Sequence, residues 1–178
     1  KIDGCAMAVR YVDGLLVKAW TRKGIDKTYC MRMIEDLPKH IIAKGTVDIR
    51  GELYGKGLIP ARSQRLAAGH LRKKQPSGMG LSFCAFQIFD AKGTEVSNLQ
   101  QLVKWGFHVC GYIKIDKDVV NRVKKLHSQW QDSLIFSRYP TDGIVVKVLD
   151  KDLQDKIGRT SIAPSWATAI KDTWKKTW

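Results

Sequence analysis

Two apolar-rich segments, residues 5–12 and 15–21, are separated by nothing but Asp13-Gly14. That dipeptide accepts the positive φ values of a tight hairpin, so the two segments are predicted to be hairpin strands. Three further stretches, residues 47–54, 81–89 and 143–149, are short and rich in branched or aromatic side chains, as strands are. Five or more strands with few helices between them predict antiparallel pairing. The expected class is α+β, with two mainly antiparallel sheets packed together, helices outside and a cleft between the sheets.

Helical periodicity is confined to a few places. Ser97 is a candidate cap for a helix running to about Trp105, with Leu99, Leu102 and Val103 on one face and Gly106 ending it. Residues 117–134 place Val119, Val120, Val123, Leu126 and Trp130 on one stripe, which we read as core rather than ligand surface. Residues 62–74 can form a third, shorter helix that Pro76 and Gly78 would end. Trp105-Gly106-Phe107 reads as helix-end packing.

With 178 residues, 44% of them hydrophobic, the chain can bury one ordinary core, and a single domain over 1–178 is expected. No run approaches the roughly 18 apolar residues that span a bilayer, and the first residues carry no targeting pattern. A cytoplasmic protein without membrane contact, acting as a monomer, is the expectation.

The formal charge is +14, from 31 basic and 17 acidic residues, which points to a polyanionic partner. Arg62, Arg65, Arg72, Lys73 and Lys74 cluster, and Lys175-Lys176 lies near the C-terminus; such groups suit a phosphate backbone, though a solvated basic surface would look the same. Cys5, Cys30, Cys84 and Cys110 are widely spaced, without C-x-x-C or a nearby histidine pair. They read as reduced thiols packed as small hydrophobes, not as a zinc or redox motif.

Chemistry-bearing residues fall in ordered patches: Lys1-Ile2-Asp3-Gly4; Thr21-Arg22-Lys23-Gly24; Arg50-Gly51-Glu52-Leu53; Leu66-Ala67-Ala68-Gly69-His70-Leu71-Arg72; Leu81 to Phe86; Asp142-Gly143-Ile144-Val145-Val146-Lys147; Ile157-Gly158-Arg159-Thr160 with Ala163-Pro164-Ser165-Trp166-Ala167; and Lys171, 29 residues beyond Asp142. An isolated lysine amine has a pKa of about 10.4, so a lysine acting as a nucleophile needs burial or nearby cations to lower it, and Lys147 and Lys171 are the candidates for Lys1. On a regular strand Asp142 and Lys147 would face opposite sides, so the glycine turn or a twist must bring both to one site.

Taken together these patches resemble the adenylation domain of bacterial NAD-dependent DNA ligases, over nearly the whole chain and beginning at the motif I lysine. The resemblance implies a nucleotidyltransferase fold, related to the ATP-grasp-like ligase adenylation domains, and a DNA ligase catalytic core. Lys1 would take AMP from NAD, pass it to the 5'-phosphate of a nick in duplex DNA, and the 3'-hydroxyl would then seal the strand with Mg2+ sharing the charge. It implies catalytic roles for Lys1, Asp3, Arg22, Asp142 and Lys171, and nucleotide contacts from Lys1, Glu52, Phe86, Lys147 and Lys171. Glu52 would accept from the ribose hydroxyl, Phe86 would stack on adenine, Asp142 would meet the metal, and Arg62, Arg65 and Arg72 would contact DNA. A strand-end surface role for Arg22 and a core role for Phe86 are the competing readings.

This sequence departs from the family in the loop after Arg22, which is shortened, and in Arg62-Ser63-Gln64-Arg65, where the family arginine falls on Gln64. Arg62 or Arg65 is the expected substitute. The family's upstream helical subdomain and its downstream modules fall outside the resemblance, so a fragment or a reduced enzyme is expected, one that uses NAD inefficiently by itself. A free α-amine at Lys1, with a pKa of about 8, would compete as nucleophile. Two alternatives remain: an ATP-dependent polynucleotide ligase of the same superfamily, and a catalytically silent basic DNA-binding remnant.

Overall fold

A computed structural model describes residues 1–160 and 164–172. The hairpin is present: β1 (Cys5–Val12) pairs antiparallel with β2 (Leu15–Thr21) across Asp13 and Gly14, whose φ values are 47° and 83°. After α1 (Thr28–Arg32) come β3 (Thr46–Gly55), α2 (Pro60–His70), β4 (Leu81–Ile88), α3 (Glu95–Lys104) and β5 (His108–Val109). These strands form one sheet in the order β2-β1-β3-β4-β5, antiparallel except for the short β4/β5 pair. Beyond α4 (Val119–Gln131), β6 (Gly143–Lys147) and β7 (Ala167–Lys171) form a second, two-stranded sheet, with α5 (Lys151–Ile157) between them. The expected α+β class with two mainly antiparallel sheets is what the chain adopts, although the second sheet is a ribbon.

Strand alternation divides the large sheet into two faces. Met7, Val9 and Tyr11 of β1, Ile49 and Leu53 of β3, and Leu81, Phe83 and Ala85 of β4 are buried on one face. They pack with Met31, Ile34, Leu37, Ala67, Leu71, Leu102 and Phe107 in a single core. Each fully buried apolar side chain contributes about 1.5–3 kcal/mol, so this layer fixes the sheet that carries the site. Tyr11 is buried with its hydroxyl satisfied, donating to the Pro38 carbonyl at 2.6 Å. The opposite face carries Ala6, Ala8, Arg50, Glu52 and Cys84, two of them small enough to leave room above the sheet.

Three sequence expectations need correction. The helix expected from Ser97 begins earlier: Thr94 is the N-cap, and Ser97 is the third helical residue, completing a capping box with it. The helix expected at 62–74 is α2, shifted to start at Pro60, because proline's fixed φ and missing N–H suit the first turn. It ends at His70 with Leu71 as the C-cap, and Arg72 to Lys74 lie outside it. The stripe of α4 is not core: no residue of that helix is buried, and Val119 and Val120 are 50% and 66% exposed. Val123, Leu126 and Trp130 are half-buried, and at the far end Trp130 Nε1 donates to Thr141 Oγ1 at 2.7 Å. Trp105-Gly106-Phe107 packs the end of α3, with Gly106 at φ 87° and Phe107 buried.

Candidate active site

The first three residues form no strand by themselves; they are clamped to residues 140–142. Asp3 N–H donates to the Pro140 carbonyl at 2.8 Å, Asp142 N–H donates to the Lys1 carbonyl at 3.0 Å, and Ile2 bridges Thr141. Ser63 fixes the clamp from below, donating to the Asp3 carbonyl at 2.9 Å while accepting from Gly55 N–H at 3.0 Å. The two glycines of these patches are required by close approach. A Cβ on Gly4 would meet the Leu53 carbonyl oxygen at 2.1 Å, and one on Gly143 would meet the Ile170 carbonyl oxygen at 2.3 Å.

This clamp brings three charged groups together. Lys1 Nζ lies 2.8 and 3.0 Å from the two carboxylate oxygens of Asp142, and Lys171 Nζ lies 3.3 Å from Asp142 Oδ2. Lys171 reaches Asp142 because Gly143 pairs with Lys171 in the ribbon. Burial would raise the Asp142 carboxyl, but hydrogen bonds and charge from Lys1 and then Lys171 hold it below the usual aspartate range. Asp3 is shifted the other way, raised by burial and then by the negative charge of Asp142.

Glu52 stands on the open face of β3, in register with Ala6 and Cys84. Burial pushes its carboxyl up to about 7, against the opposing effects of the Lys1 charge and a hydrogen bond from Gly4 N–H. Phe86 occupies a bulge: Gly51 pairs with Ala85 and Arg50 with Gln87, which leaves Phe86 as the extra residue of β4. Bulges re-aim a side chain beside a site, and the Phe86 ring faces Lys147, whose Nζ is 5.5 Å from its centroid. Lys147 also lies over Trp166 at 6.0 Å and pairs with Glu95 at 3.1 Å.

Lys147 therefore does not join the Lys1, Asp142 and Lys171 cluster. It lies four residues up the ribbon from Gly143, about 13 Å at strand rise, against α3. Glu95 is nearly buried, accepts from Gln154 Nε2 at 2.9 Å and has Lys151 Nζ at 3.9 Å. The network joins α3, α5 and β6 behind Lys147. Nothing in the local sequence marks Glu95, which is 52 residues from its partner; its only sequence signal is its place after the capping Thr94.

Arg22 is exposed at the end of β2 and lines a small cleft with Trp20, Arg50 and Phe89. Burial and then the positive charges of Arg22 and Arg159 hold the Arg50 guanidinium below its ordinary value. The cationic character of this cleft was missed, since only Glu52 stood out in Arg50-Gly51-Glu52.

The sequence profile of the NAD-dependent DNA ligase adenylation domain matches residues 1–57 and 56–174. The chain belongs to this family. A DNA ligase of Fervidobacterium nodosum is 31% identical, with 96% of this chain and 29% of the relative covered. DNA ligases of Thermobifida fusca, 31% identical, and Natranaerobius thermophilus, 29%, each align with 96% of this chain and with 27% and 30% of their own lengths. The chain thus spans under a third of these relatives. The Natranaerobius alignment runs over 197 positions, more than this chain has, so that ligase carries residues absent here.

Within this ligase-family chain, α2 exposes Arg62 and Arg65 three residues apart on one side, and Arg72 is exposed just beyond the helix. Gln64, between them, is half-buried. Ala163, Lys175 and Lys176 lie outside the described residues. No described helix is long and apolar enough to cross a membrane.

Proposed function

We propose that the chain is the adenylation core of an NAD-dependent DNA ligase, a single nucleotidyltransferase domain over residues 1–178. The observation that carries this reading is the meeting of Lys1, Asp142 and Lys171 across about the whole sequence, on one rim of a cleft whose sheet face presents Glu52. The Lys1 amine attacks the α-phosphorus of NAD; a P–N bond forms, the P–O bond to nicotinamide mononucleotide breaks, and AMP remains on Lys1. A 5'-phosphate oxygen at a DNA nick then displaces Lys1 from that AMP, and the 3'-hydroxyl finally displaces AMP to close the strand.

Asp142 orients the Lys1 amine by two hydrogen bonds. Lys171 is 59% exposed at its side chain, free to move from Asp142 onto the phosphate and offset charge as it develops. Glu52 accepts from the ribose hydroxyl, Phe86 stacks on adenine, and Lys147, held by Glu95, contacts the adenylate. Arg22 and Asp3 complete the catalytic set; Arg62, Arg65 and Arg72 hold the duplex backbone.

Magnesium takes one or two carboxylates with water and phosphate oxygens, a set that Asp142, with Asp3 close enough to feel its charge, can supply. Among the described residues no group of three such ligands occurs, which suits an ion held largely by substrate phosphates. It would supply charge neutralisation at phosphorus. The protein is expected to work as a cytoplasmic monomer on nicked duplex.

The test is incubation with magnesium and adenylate-labelled NAD or ATP. Acid-labile label from NAD, not displaced by excess ATP, is expected. Label from ATP alone would move the chain to the ATP-using branch, and binding of DNA with no label from either nucleotide would make it a silent DNA-binding module.

A further inference from the structure

Cys84 and Cys110 are 26 residues apart in the chain, yet their Sγ atoms lie 3.2 Å apart, and neither belongs to a disulfide. A disulfide bond is about 2.05 Å long, so closure needs a movement of only about 1 Å. The pair is asymmetric. Cys84 is fully buried on β4, whereas Cys110, just past β5, is only half-buried. The hydrogen bond from Cys84 holds the Cys110 thiol below its ordinary value despite burial, with the charges of the Lys1 α-amine and then Lys147 adding to this; the same bond and burial push Cys84 up. By its exposure Cys110 is the member a reagent meets first, and the buried Cys84 the resolving one.

The pair also sits under the cleft. Cys84 is in register with Glu52 on the open sheet face, and with Ile2, Tyr54, Cys110 and Tyr139 it forms a small apolar cluster. Ile2 lies between Lys1 and Asp3, and Tyr139 donates to the Val109 carbonyl at 3.1 Å. A movement of Cys110 is therefore transmitted to the segment that seats Lys1.

We propose that Cys84 and Cys110 form an oxidisable thiol pair that a peroxide closes into an intrachain disulfide, and that closure weakens nucleotide binding in the adjoining cleft. The second half of this proposal rests on the adenylation reading above. Cys110 sulfur attacks one peroxide oxygen; an S–O bond forms, the O–O bond breaks and one water leaves. Cys84 sulfur then displaces that oxygen as a second water, forming the S–S bond. Two thiol protons and two electrons pass to the peroxide, and a dithiol reductant reverses the step.

The experiment treats the full chain with hydrogen peroxide, maps non-reduced peptides by mass spectrometry, and measures AMP affinity by calorimetry before oxidation, after it and after dithiothreitol. A Cys84–Cys110 cross-link is expected in the wild type and in Cys5→Ser, but not in Cys110→Ser. AMP affinity is expected to fall about fivefold or more on oxidation and to return on reduction, with Cys110→Ser insensitive. Cross-links to Cys5 or Cys30 instead, or oxidation of Cys110 without a cross-link, would overturn the pair. A cross-link with unchanged AMP affinity would overturn its coupling to the cleft. A reduced chain that binds no AMP would count against the adenylation reading, while the peptide map would still decide the pair.

Discussion

Gly4 has the backbone of β3 against its α-carbon, and any side chain there drives into the Leu53 carbonyl. Gly4→Ala is expected to cost about 1–3 kcal/mol of stability, the usual penalty of overpacking, measured by urea unfolding. Glu52 gives a second test at this scale. Its carboxyl is raised from 4.5 to about 7 in the folded chain, so between those values the native state binds the proton that the unfolded state has lost. Its contribution is fully present below pH 4.5 and is lost as pH rises through about 7. Glu52→Gln removes this group, and its stability should fall less steeply than the wild type's over that window. The members of the Lys1 cluster were legible in the sequence because their types and order match the family's motifs, and the structure brings Lys1, Asp142 and Lys171 together. Glu95 and the Cys84–Cys110 pair were not, because each acquires its meaning only from a partner that the fold brings near.

The strands of the hairpin match their expected bounds residue for residue, since Asp13-Gly14 fixes both ends of the turn and alternation does the rest. The helices were harder to read. α1 and α5, of 5 and 7 residues, are too short for a 3.6-residue period to show. The apolar stripe of α4 is real, but periodicity identifies a face without saying what covers it, and here Val119 and Val120 face solvent. The network that ties α3 and α5 to β6 can be tested as a unit. Glu95→Gln leaves Lys147 without its counter-charge in a largely buried setting and is expected to lower stability by about 1–3 kcal/mol. Replacing Lys147 with Met in the same protein should recover part of that loss. A double-mutant cycle by urea unfolding reads the coupling, which would be near zero if the pair were only a surface contact.

At the scale of the whole molecule, a five-stranded sheet and the ribbon of β6 and β7 belong to a chain of net charge +14. If α2 lies on duplex phosphates, Arg62→Ala with Arg65→Ala should weaken DNA binding without changing sequence preference. It should also reduce the slope of log affinity against log salt by about 2, near one unit per lost phosphate contact. An unchanged slope, measured by fluorescence anisotropy across a salt series, would place the DNA elsewhere. The most direct test of the account is where AMP becomes attached. After incubation with NAD and magnesium, peptide mass mapping should find AMP on Lys1 alone, with none in Lys1→Arg. AMP on Lys147, Lys171 or any other lysine would contradict the assignment of Lys1 as the nucleophile that Asp142 and Lys171 surround.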